Sequence, residues 1–178
     1  TFSEVLAATQ VCELVCVDIP IGLSDGEGAR ACDIEARRLL RSPRASSVFP
    51  PPVRQALFAN DRETASKINF KCSGRRLSCQ SFSILKKIRQ VDDLITRELQ
   101  KRVREIHPEI SFWALNNRTP MQHKKVRLSG RNERMQLLSH VFPRVREVVA
   151  FTRTPGEVAP DDIVDALMRI RSIPAEEI

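Results

Sequence analysis

Leu14-Val15-Cys16-Val17-Asp18-Ile19-Pro20-Ile21-Gly22-Leu23 reads as a short apolar strand that ends on a carboxylate. Pro20 has no amide to give a ladder and Gly22 favours a turn, so the strand stops just past Asp18. A carboxylate left in an apolar interior costs several kcal/mol unless it is paired, hydrogen-bonded or bound to a metal. The pattern therefore predicts Asp18 at a sheet rim, where α/β folds open their ligand clefts. The same spacing also allows a structural role, in which Asp18 accepts backbone amides of the turn at Pro20 and Gly22.

Outward from this strand, Ser3 to Thr9 reads as the end of a short helix. Gly26 to Leu40 reads as another, with Ala29, Cys32, Ala36 and Leu39 at helical spacing and Asp33 placed to pair with Arg37. Pro50-Pro51-Pro52 forces an extended connector. Helices are then expected over Val53 to Ile68 and Ser81 to Val103, the second with a buried stripe of Phe82, Leu85, Ile88, Val91, Ile95, Leu99 and Val103. Glu105 to Phe112 reads as a second strand, in which Pro108 marks an edge or a bulge. Gly130 to Phe142 reads as a helix ended by Pro143, and a last helix opens at Asp161 or Asp162.

A chain of 178 residues fits one domain with a core of its own, so residues 1–178 are expected to form a single unit. The five cysteines are odd in number and contain no Cys-x-x-Cys pair, which gives no basis for a zinc site or a disulfide framework. No apolar run reaches the length of a membrane span and the first residues lack signal-peptide character, so a cytoplasmic protein is expected. The net charge of +7, carried largely by arginine, favours a polyanionic partner. Aromatic residues make up only 5%, with no tyrosine, so recognition is expected to rest on the phosphate backbone instead of base stacking.

Carboxylates recur on separate predicted elements: Asp18 at a strand end, Glu109 beside Pro108, and Asp161, Asp162 and Asp165 at the start of the last helix. Asp162 and Asp165 lie one turn apart on one face. Converging carboxylates suit a hard divalent cation, Mg²⁺ or Mn²⁺, which clamps the oxygens of a phosphodiester. Helix capping by Asp161 and Asp162 and an arginine partner for Glu109 are the structural alternatives. Lys124, Lys125 and Arg131 fit contacts to substrate phosphate, with a plain solvated patch as the alternative. Ser47, with Ser46, follows Arg41 and Arg44 and can cradle a phosphate or simply make a turn. His107 reads as a hydrogen-bonded structural residue or a phosphate-orienting acid, while His123 and His140 lack ligand spacing. No dinucleotide, Walker or nucleophile-elbow motif is present.

These residues occur in a recognisable order: Val17 to Leu23, Arg30-Ala31-Cys32-Asp33 with Ala36-Arg37, Ser46-Ser47-Val48-Phe49-Pro50, Lys87-Ile88 with Val91-Asp92, His107-Pro108-Glu109 with Phe112, Lys124-Lys125 with Gly130-Arg131 and Arg134, and Asp162-x-x-Asp165-Ala166-Leu167. Together they resemble the family of unknown function numbered 429, regarded as predicted nucleases with an RNase H-like fold. The resemblance implies an α/β domain, a mixed sheet flanked by helices with a helical insert at residues 26–103, and a metal site to which Asp18, Glu109 and Asp165 correspond, with Asp162 in support. An RNase H-like domain also begins with a three-strand meander that carries a first aspartate, and nothing ahead of Asp18 supplies it. Those N-terminal strands are expected either upstream of residue 1 or lost, leaving a sheet edge that needs cover, for which a second copy of the chain is one solution.

The function expected on these grounds is metal-dependent hydrolysis of nucleic-acid phosphodiesters, DNA or RNA. The alternatives are a catalytically silent nucleic-acid-binding or assembly module, and an enzyme acting on a small phosphorylated metabolite.

Overall fold

The apolar run before Asp18 does form a strand, β1 (Val15–Val17). It pairs in parallel with β2 (Val103–Glu105), in the register Val15 to Val103, Cys16 to Arg104 and Val17 to Glu105. The computed structural model describes residues 1–26, 28–152 and 163–166. Among these residues the fold is mixed α/β, mostly helical, with one two-stranded parallel sheet. The chain divides into two compact units, residues 1–35 with 48–106 and residues 36–47 with 107–178.

The first unit, which holds the sheet, is built from α1 (Phe2–Ala8), β1, the start of α2 (Ala31–Arg44), α3 (Arg62–Ser73), α4 (Cys79–Ser83), α5 (Leu85–Leu94) and β2. Phe2, Val15, Val91 and Val103 form one buried cluster behind the sheet, and Leu23, Leu57, Ala65, Leu77, Leu85 and Ile88 form another. The strand exit is held by charge. The Ile21 amide donates to Glu105 at 2.8 Å, and Arg30 donates to the Ile21 carbonyl at 3.0 Å and to Glu105 at 2.7 Å. Asp33 closes the network with a two-pronged contact to the same guanidinium. Burial alone would lower the pKa of Arg30, but its bonds to Glu105 and Asp33 outweigh this and raise it, so the guanidinium stays charged.

The second unit, helical among its described residues, is built from the remainder of α2, α6 (Pro108–Leu115), α7 (Leu128–Val141) and α8 (Val145–Thr152), with residues 163–166 also helical. Its core is Phe112, Met121, Met135, Leu138, Val145 and Val164.

Several expected boundaries differ, each for a local reason. The helix expected from Gly26 begins only at Ala31, because Gly26 and Gly28 take positive φ of 133° and 72°. The helix expected over Val53 to Ile68 is a 3-10 turn at Arg54–Phe58 followed by α3, whose N-cap Asp61 accepts the Thr64 amide. The long helix to Val103 ends at Leu94, where Ile95 turns extended; Ile95 and Leu99 still pack on the core, and Val103 reaches it from β2. The strand expected over Glu105 to Phe112 is a strand end followed by a helix. Pro108 occupies the first helical turn, where its missing amide costs nothing, so Glu109 stands on α6 and not beside a bulge. The capping role expected for Asp161 or Asp162 lies outside the described residues.

Replacing Arg30 with Met should destabilise the protein by about 3 kcal/mol, because Glu105 and Asp33 lose their common cation. Urea denaturation of the two proteins measures this. A change under about 0.5 kcal/mol would mean that the strand exit does not depend on this network.

Candidate phosphate and metal site

Asp18 follows β1 directly and is exposed, so it carries no burial penalty. The nearby Ile21 amide is taken by Glu105, a residue the sequence reading placed at the start of a strand instead of its end. Asp18 belongs to the first unit, while Glu109 and Asp165 belong to the second.

In the second unit α7 organises the chemistry. Gly130, Arg134 and Leu138 recur at four-residue spacing and are all buried, so a charged residue occupies the helix stripe that faces the core. Arg134 is 1% exposed. One of its terminal nitrogens donates to Glu109 Oε1, the other donates to the carbonyls of Gly130 at 2.9 Å and His123 at 3.1 Å, and the guanidinium carbon lies 5.3 Å from the centre of the Phe112 ring. Glu109 is also buried, and its Oε2 has no protein partner among the described residues. A buried arginine and a buried glutamate each need the other, since either alone would carry a full desolvation cost.

The loop ahead of α7 carries the basic residues, and three residues of that helix hold it in place. Glu133 accepts the amides of Gln122 at 2.6 Å and His123 at 3.0 Å, Arg134 binds the His123 carbonyl, and Gly130 lets the loop backbone approach. A Cβ on Gly130 would stand 2.1 Å from the Lys124 carbonyl oxygen. Lys124 is exposed. Lys125 is half-buried, and its Nζ lies 2.8 Å from Asp165, whose side chain is 6% exposed. Val164, beside Asp165, shares its core with Phe112 of α6, so Asp165 and Glu109 stand on elements packed into one cluster. Asp162 lies outside the described residues.

Arg44 comes to the same loop from the other segment of the unit. Its side chain is buried, it donates to the His123 carbonyl at 3.2 Å, and its Nε has no partner among the described residues. Ser47 donates to the Arg44 carbonyl at 2.8 Å, and the Ser47 carbonyl lies 3.3 Å from His107 Nε2. The expected Ser47 site residue thus supports backbone structure, and His107 is hydrogen-bonded as the structural alternative anticipated. Arg131 is half-buried, and its Nε has no partner among the described residues. Neither Arg44 nor Arg134 was singled out from the sequence as a site residue. The signal for Arg134 was its position in the Gly130 and Leu138 stripe; Arg44 had none beyond its proximity to Ser46 and Ser47.

Among the described residues, no group of three His, Cys, Asp or Glu side chains is gathered for a metal ion. Glu109 Oε2, orphaned among the described residues, and the Asp165 carboxylate, which binds Lys125, are oxygen groups of the type Mg²⁺ and Mn²⁺ prefer.

Residues 1–170 match the model of a family described as "Protein of unknown function (DUF429)". The chain belongs to this family. No curated protein and no solved structure matches it. The motifs from Asp18 to Asp165, with Glu109, Gly130 and Arg134, all fall within the matched span. Among the described residues of this family member, no helix is long and apolar enough to cross a membrane.

Substituting Gly130 with Ala should cost at least about 1–3 kcal/mol, because the new methyl group meets backbone and not a flexible side chain. Thermal denaturation reports the loss. An unchanged melting temperature would show that the loop is free to move away from α7.

Proposed function

We propose that this DUF429 protein is a metal-dependent nuclease with an RNase H-like plan, hydrolysing phosphodiester bonds of nucleic acid. The observation that carries this reading is that two buried carboxylates, Glu109 bound to Arg134 of α7 and Asp165 bound to Lys125 of the basic loop, stand on elements of one core. Glu109 and Asp165, both of the second unit, would hold Mg²⁺ or Mn²⁺. When bound, the cation supplies Lewis acidity for attack of water on phosphorus.

The protein's own groups have separate tasks. Arg134 fixes the Glu109 carboxylate so that Oε2 is left over for a ligand. Lys125 neutralises Asp165 while the site is empty of cation and gives up that contact when one enters. Lys124, exposed on the loop ahead of α7, contacts the phosphate backbone of the substrate. The net charge of +7 raises the local concentration of a polyanionic strand, and its effect weakens with salt.

A second reading rests on the same ion pairs. Both carboxylates already have cationic partners, Arg134 and Lys125, as they would in a silent nucleic-acid-binding module. Calorimetric titration with Mn²⁺ near neutral pH separates the two. The nuclease reading predicts binding that is lost in Asp165→Asn and Glu109→Gln and accompanied by Mn²⁺-dependent cleavage of an oligonucleotide. Salt-dependent oligonucleotide binding with no Mn²⁺ uptake would replace it with the silent module.

A further inference from the structure

Arg44 and Arg134 bring two guanidinium groups to the His123 carbonyl, Arg131 stands one helical turn from Arg134 on α7, and among the described residues only Arg134 of the three has a carboxylate partner. Arg134 has Glu109. Arg44 is buried, yet among the described residues its bonding is to a neutral carbonyl, that of His123. Arg131 has no carboxylate partner among the described residues, and its buried Nε is unbonded. The Nε atoms of Arg44 and Arg134 are likewise buried and unbonded. The nearby carboxylate of Glu133 is spent on the amides of Gln122 and His123.

The arrangement is costly as pure scaffolding. Terminal nitrogens of Arg44 and Arg134 lie within 3.2 Å of the same His123 oxygen, so two like charges are held close together. One neutral donor would satisfy that carbonyl without repulsion. A buried guanidinium is normally paired, and nearly all buried N–H groups have a protein, water or ion partner, so three orphaned Nε atoms on neighbouring arginines call for one. Arg131 lies three residues before Arg134, on neighbouring positions of the α7 surface.

We propose that Arg44, Arg131 and Arg134 form a seat for a dianionic phosphate group, that is, a phosphomonoester and not an internal phosphodiester. The guanidinium fork matches phosphate oxygens in shape. With Arg134 balanced by Glu109, two positive charges remain, which matches the charge of about −1.5 to −2 on a phosphomonoester near neutral pH and exceeds that of a diester. The terminal phosphate of a nucleic acid and a small phosphorylated metabolite present this same group. The seat requires no metal, so it stands or falls independently of metal-dependent hydrolysis.

The test is calorimetric titration of the full chain with inorganic phosphate at pH 7.5 without divalent cations, followed by a 5′-phosphorylated oligonucleotide, its 5′-hydroxyl counterpart and a phosphorylated sugar. The seat predicts saturable binding of inorganic phosphate, weakened at least tenfold in Arg44→Gln and in the half-buried Arg131→Gln, and unchanged in the exposed Arg75→Gln of the first unit. Preference for the 5′-phosphorylated over the 5′-hydroxyl strand identifies a nucleic-acid end. Equal or tighter binding of the phosphorylated sugar identifies a metabolite. Circular dichroism checks that each variant is folded, and Arg131→Gln carries the test if Arg44→Gln is not. Absence of phosphate binding by the unaltered protein, or equal loss in Arg75→Gln, overturns the proposal.

Discussion

The ion pair between Arg134 and Glu109 is the constraint on which the second unit depends. Arg134 is placed in the core stripe of α7 by its spacing to Gly130 and Leu138, and burial there is tolerable only because Glu109 meets it from α6. The same guanidinium holds the His123 carbonyl, which fixes the loop carrying Lys124 and Lys125, and Phe112 closes over its face. Helix packing, loop position and electrostatics thus meet at one side chain. An apolar residue would fill the stripe at lower desolvation cost, but it would hold neither the carboxylate nor the loop.

Charge does comparable work in the first unit. Three-residue strands give little ladder of their own, and the exit of β1 is secured by Arg30, Glu105 and Asp33 in addition to apolar packing. Asp18 is exposed at the end of β1, and the Ile21 amide in the turn beyond it is bound by Glu105. The two units share one strategy: an arginine bound to both a carboxylate and a loop carbonyl turns an irregular segment into a fixed one.

Much of this was legible in the sequence where a single local rule decided the outcome. The strand ending at Asp18, the helix after it and the helix over Gly130 to Phe142 followed from apolar runs and turn residues. Glu109 was assigned to the wrong element because His-Pro-Glu fits an edge strand as well as a helix start, and only the packing of Phe112 decides between them. The stripe expected from Phe82 to Val103 does face the apolar clusters, with Phe82, Ile95 and Leu99 only partly buried, but it is divided over two helices and a strand, since the core receives Val103 from β2 at nearly the same spacing. Arg134 was visible as charge but not as core, because a charged residue in a buried stripe is recognisable only once its partner is known. The carboxylate on α6 and its neighbours on the basic loop were legible as residue types, while the arginines that bind them were hidden among many solvated ones.

A double-mutant cycle on Arg134 and Glu109 tests this account most directly. Unfolding free energies of the unaltered protein, Arg134→Met, Glu109→Gln and the double variant give the coupling between the two side chains. The account predicts a coupling of about 2 kcal/mol or more, with the double variant more stable than the sum of the single losses implies. Additive losses, within about 0.5 kcal/mol, would contradict it and show that the second unit is held by its apolar core alone.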